Sequence, residues 1–194
     1  MKDNYGKHVL EPVWQSCRQL RRTSLPEQWR SWLLDPDSLT RRLQRSCNGH
    51  FAVEVIAQRL ERPMLSESRA LDRPPNEIAL VRQVHLLCDG TPWVFARTVI
   101  PLTSLRGGLH RLALLGNKPL GAVLFADPKM RRLPVEVARI HPRHRLYRLH
   151  RDAKDTEQPV WGRRSVFLLQ DNPLLVSEFF LPGLPARPME QNDP

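Results

Sequence analysis

Residues 79–100 read ALVRQVHLLCDGTPWVFARTVI, and their reading decides the fold. Apolar and β-branched residues run on either side of Asp89-Gly90, a pair suited to the positive φ angles of a two-residue hairpin turn. The stretch predicts two antiparallel strands. On the first, Arg82 shares a face with Leu80, Val84 and Leu86; on the second, Arg97 shares a face with Trp93, Phe95 and Val99, because strand side chains alternate with a period of two. Both guanidinium groups are expected to point inward, where an unpaired charge is costly.

Working outward, the same period continues. Phe51, Val53, Val55 and Ala57 fall on one side of a segment whose other side carries Glu54 and Gln58. SVFLLQ (165–170) and LLVSEFFL (174–181) add two further strands. Upstream, PEQWRSWLL (26–34) predicts a helix, Asp35-Pro36-Asp37 a turn, and Ser38 an N-cap for a second helix over LTRRLQRSC (39–47). Short helices are expected over 103–115, weakened by Gly107 and Gly108, and over 119–125. Strands in runs with helices set apart imply an α+β fold, a single antiparallel β-sheet flanked by helices. Residues 130–160 are strongly basic, histidine-rich and turn-prone, and read as a long surface excursion.

A length of 194 residues suits one domain, assigned to 1–182 with a flexible tail over 183–194. The formal charge of +10 is compatible with nucleic acid, an acidic membrane surface or a small organic anion as partner. Aromatic residues are sparse in the Arg-rich segment, which argues against specific nucleic-acid binding. No stretch approaches the ~20 apolar residues of a membrane span. Cys17, Cys47 and Cys88 form no Cys-x-x-Cys pair, so neither a disulfide framework nor a zinc site is indicated, and a reducing cytoplasm is expected. Cys88 reads as an inert thiol. His141, His144 and His150 sit among arginines at a spacing that is not a standard metal pair, so no metal is expected. A monomer is the default.

The informative breaks in the pattern are charges on apolar faces. Glu178 shares its side with Leu174, Val176 and Phe180 as the only charge in its segment. If Arg82, Arg97 and Glu178 meet under the sheet, their sum of about +1 suits a pocket for an organic anion, since the arginine fork matches a carboxylate. A structural Arg82–Glu178 ion pair is the plainer alternative. In NKPLGAVLF (117–125), Pro119 can begin a helix whose first N–H groups, near Leu120, are left for an anion.

At these same places the chain resembles the chorismate pyruvate-lyase family. The resemblance is carried by WLLDPDSLTRR (32–42), VRQVHLLCDGTPWVFARTVIP (81–101), KPLGAVLF (118–125), WGRRS (161–165) and NPLLVSEFFLP (172–182), in that order. It implies a ligand buried beneath helical flaps, no metal or organic cofactor, and the conversion of chorismate to 4-hydroxybenzoate and pyruvate for ubiquinone synthesis. It also implies ligand contacts at Leu39, Arg82, Leu120 and Glu178, with Arg97 as a second pocket arginine and Glu178, Arg82 and Arg97 as the catalytic set. Leu39 stands where the family commonly has Met. The basic segment between Phe125 and Trp161 is longer than the family's usual connection. The rival class is a non-catalytic small-acid-binding domain, similar to the effector domains of certain transcription regulators.

Overall fold

In the computed structural model, residues 10–18, 20, 25–106, 109–149 and 158–185 are described. They form, in chain order, β1 (Gln15–Ser16), α1 (Glu27–Leu33), α2 (Leu39–Ser46), β2 (Phe51–Glu61), α3 (Leu65–Ala70), β3 (Ala79–Cys88), β4 (Thr91–Pro101) and α4 (Leu102–Arg106). A 3-10 turn (Leu109–Leu114), α5 (Leu120–Leu124), β5 (Arg131–Arg132), β6 (Glu136–Ile140), α6 (Arg145–Leu149), β7 (Val160–Leu169) and β8 (Asn172–Phe180) follow. The strands make one antiparallel sheet in the order β1-β6-β7-β8-β4-β3-β2, with β5 paired to β7.

The Asp89-Gly90 turn forms as its sequence predicts, with φ of 48° and 75°. The register of the strands it joins carries a feature that the alternation does not reveal. Cys88 pairs with Thr91 and Leu87 with Pro92, but Leu86 pairs with Val94. Trp93 is thus an extra residue on β4, a β-bulge, and every side chain beyond it is turned to the opposite face from the one an unbulged hairpin would give. Arg82 lies opposite Thr98, and Arg97 opposite Gln83.

The sheet buries side chains on both faces. On one, Trp32, Leu33, Leu39 and Leu43 from α1 and α2 pack on Val53, Val84, Leu86 and Ala96. The same face continues into Ile100, Leu112, Leu124, Phe167 and Val176 beneath the 3-10 turn and α5. The other face carries Phe95, Phe179, Ala138 and Ile140 under α6, and Val81, Val99 and Leu175 beside Leu71. Ser38 caps α2 by accepting a hydrogen bond from Arg41 N at 3.5 Å.

Three expectations are corrected. Over its described residues, 130–149 and 158–160, the basic segment is no surface excursion: β6 pairs with both β1 and β7, and Ile140, Leu146 and Tyr147 are buried. Its apolar residues recur at short helical and strand spacings that the intervening arginines conceal. Cys47 and Cys88 are joined in a disulfide; Phe51 pairs with Cys88, so the chain entering β2 brings Cys47 beside it. Gly183–Pro185 do not start a tail, since Leu184 is buried and Pro185 O accepts from the Trp32 indole at 3.1 Å. Residues 186–194, Gly107, Gly108 and His150 lie outside the described residues.

Candidate active site

A cleft with about 520 Å³ of empty space, counted out to its mouth, lies on the α2/α5 side of the sheet. Its floor comprises Arg82, Val84 and Leu86 of β3, Ala96 and Thr98 of β4, and Val176 and Glu178 of β8. Leu39 and Thr40 of α2 and Pro119, Leu120 and Gly121 at the start of α5 roof it. The two roofing helices meet closely at Gly121, where an added Cβ would stand 2.9 Å from Thr40 Oγ1 and 3.2 Å from Ser38 Oγ. Four expected site residues, Leu39, Arg82, Leu120 and Glu178, therefore line one cavity.

Arg82 is 3% exposed. Its guanidinium donates to Gln58 Oε1 at 3.3 Å and to Lys118 O at 3.4 Å, both neutral groups. Burial pulls its pKa below the usual arginine range, and no carboxylate acts to restore it. The structural Arg82–Glu178 ion pair is thus not formed. Among the described residues Arg82 is a buried cation without an anionic partner, and it faces a cavity. Arg82 and Glu178 are separated by β4 with a two-residue offset. Strand spacing and rise put their backbones about 12 Å apart, a span that long side chains and one six-membered ring fill.

Arg97 is absent from this cavity, and the expectation that it joins the pocket is corrected. The bulge at Trp93 turns it to the far face, where it is 1% exposed. There its Nε and Nη2 donate to the two oxygens of Glu67 at 2.7 and 3.1 Å, and its Nη1 donates to Glu61 at 3.0 Å. Burial alone would lower its pKa, but these two carboxylates raise it above the usual value. Arg97 is compensated where Arg82 is not.

A residue missed from sequence stands next to Glu178. Arg163 pairs with it across β7 and β8 and donates from Nε to Glu178 Oε2 at 2.6 Å. The WGRRS motif enters β7, which lies inside the sheet between β6 and β8, and Arg163 and Arg164 point to opposite faces. Arg164 bonds Glu136 at 2.7 Å and lies 4.5 Å over the Trp14 ring. Arg132 also lies near, its Nε on Ser165 Oγ at 3.0 Å; burial and the Arg163 charge lower its pKa. In the histidine-rich segment His144 Nδ1 accepts from His141 N at 3.0 Å. Among the described residues no three His, Cys, Asp or Glu side chains gather as a metal site would require. No helix of the described residues is long and apolar enough to cross a membrane.

An antiparallel sheet that shelters one uncompensated guanidinium and one carboxylate beneath two short helices defines a protein built around a small organic anion. Residues 9–188 match the family described as chorismate lyase, and the chain belongs to that family. A probable chorismate pyruvate-lyase of Thiobacillus denitrificans is 46% identical over 160 residues, covering 82% of this chain and 85% of that one. Among solved structures, the PhnF C-terminal domain has a TM-score of 0.53 at 13% identity, covering 73% of this chain and 89% of that one. A GntR-family transcriptional regulator from Bacillus cereus has a TM-score of 0.51 at 12% identity, covering 68% and 92%. These last two similarities concern the fold alone.

Proposed function

We infer that the protein is a chorismate pyruvate-lyase, releasing pyruvate from chorismate to leave 4-hydroxybenzoate, the aromatic precursor of ubiquinone. The observation that carries this reading is Arg82: a buried, unpaired guanidinium facing a cavity that also holds Glu178. Family membership supplies the reaction. Chorismate bears a ring carboxylate and, across the ring, a hydroxyl; the cavity offers a cation at one end and a carboxylate at the other.

In this reading Arg82 and the Leu120 N–H hold the ring carboxylate, Leu39 packs on the ring, and Glu178 accepts from the ring hydroxyl. The ether C–O bond breaks, the hydroxyl-bearing carbon loses its hydrogen, and the enolpyruvyl methylene gains one, so chorismate divides into 4-hydroxybenzoate and pyruvate. Aromatisation drives the step. The protein's main contribution is to fix the ether in its reactive conformation away from water. The far-face location of Arg97 leaves it no part in these steps. A monomer acting without metal or organic cofactor belongs to the same proposal, as does action in the cytoplasm, which rests on the family reading and no longer on cysteine usage, since Cys47 and Cys88 are joined.

The test is to mix purified protein with chorismate, without metal or nucleotide, and follow both products. Equal appearance of 4-hydroxybenzoate and pyruvate supports the reading. Tight binding of 4-hydroxybenzoate with no turnover would replace it with a sensor role.

A further inference from the structure

Arg163 is 1% exposed and is not part of the cavity wall, yet its guanidinium spans three elements. Nε holds Glu178 Oε2 at 2.6 Å, while Nη1 donates to Trp32 O at 2.9 Å and Asp35 O at 2.8 Å. Trp32 O belongs to the last turn of α1, where helix carbonyls lack intrahelical partners and carry partial negative charge. Asp35 lies in the link that leads to Ser38 and Leu39. One cation therefore grips both the site carboxylate and the segment that seats the roof. Arg132 grips the same link from the side, donating to Asp35 O at 3.3 Å and Pro36 O at 2.9 Å. The Asp35 side chain is held in turn by Arg42 at 2.6 Å.

We propose that Arg163 is a positioning residue for hydroxyl recognition: by occupying Glu178 Oε2 it presents the other carboxylate oxygen to the ligand's ring hydroxyl. The inference rests on the reading of Glu178 above. A planar fork with separate donors for a carboxylate and for backbone carbonyls suits this task, and an ammonium group cannot reproduce it.

The experiment measures binding of 4-hydroxybenzoate and of benzoate, which lacks the hydroxyl, to the full chain by titration calorimetry, with chorismate turnover alongside. In the native protein 4-hydroxybenzoate should bind the tighter. Arg163→Met should cut that preference about tenfold, as loss of a charge-assisted hydrogen bond does, while benzoate affinity changes less than about twofold. Glu178→Gln should cut it similarly, and the double variant no further, because Arg163 acts through Glu178. Arg163→Lys provides a second route if the Met variant does not fold, and should lose at least about threefold. Equal weakening of both ligands, an unchanged preference in a folded Lys variant, or multiplicative losses in the double variant would overturn the proposal. A native protein that turns over chorismate but shows no preference for the hydroxyl overturns it too. One that neither turns over chorismate nor binds either acid instead removes the functional reading beneath it.

Discussion

Two arginines that look alike in sequence do opposite things, and variants separate them. Arg82→Ala removes a cation with no carboxylate partner, so the fold should keep its melting temperature. Loss of a charge-assisted contact of about 1.5–3 kcal/mol should lower kcat/KM by roughly 10- to 150-fold. Arg97→Met leaves Glu67, itself 1% exposed, as a buried unpaired carboxylate. Thermal or urea unfolding should show a loss of about 3–5 kcal/mol, with 4-hydroxybenzoate affinity retained in the folded fraction. Glu178→Gln divides positioning from proton transfer: nearly full turnover would leave Glu178 as a hydrogen-bond acceptor only. That Arg82 and Glu178 face one side of the sheet was legible because inward charges interrupt apolar strands; Leu39 and Leu120, which line the same cavity, were singled out through the family motifs. Arg163 was not, since nothing in WGRRS tells an interior strand from an edge; only its cross-strand partner does.

At the level of elements, most strands and the first two helices follow from local pattern, and the errors have local causes. The Trp93 bulge is invisible to alternation, because both faces of β4 are apolar and one extra residue disturbs no composition. The segment from Glu136 to Leu149 hides its strand and helix behind arginines. Cysteine spacing could not reveal a pairing made by strand register. The Cys47–Cys88 disulfide closes a loop with a sequence separation of 41, for which chain-entropy estimates give about 4 kcal/mol. Dithiothreitol, or Cys47→Ser with Cys88→Ser, should lower the urea midpoint accordingly; an unchanged midpoint would mean the bond adds no stability. Glu61 adds a pH dependence. Burial acts to raise its pKa, but hydrogen bonds and charge from Arg59 and Arg97 bring it below the usual value. Its stabilising effect is therefore full above the unfolded carboxyl value of about 4.3 and is lost as pH falls through the lower folded value. Glu61→Gln should flatten acid unfolding in that interval.

Over the whole molecule the charge of +10 acts on a dianionic substrate before contact. Long-range attraction of this kind is screened beyond about 10 Å at 0.1 M salt, so kcat/KM should fall as sodium chloride rises from low to high concentration, with kcat nearly constant. A salt-independent kcat/KM would assign capture to short contacts alone. The sheet also keeps its chemistry apart: the compensated Glu67–Arg97 pair lies on one face, the uncompensated Arg82 on the other. Covalent attachment of α2 completes this arrangement in mechanical terms. The disulfide pins the helix at Cys47, its C-cap, whereas its other end is held by hydrogen bonds and packing around Ser38 and Leu39. An eight-residue helix anchored this way is a lever about 12 Å long. The covalent link thus fixes one end of the roof, while the end beside α5 is held by non-covalent contacts alone.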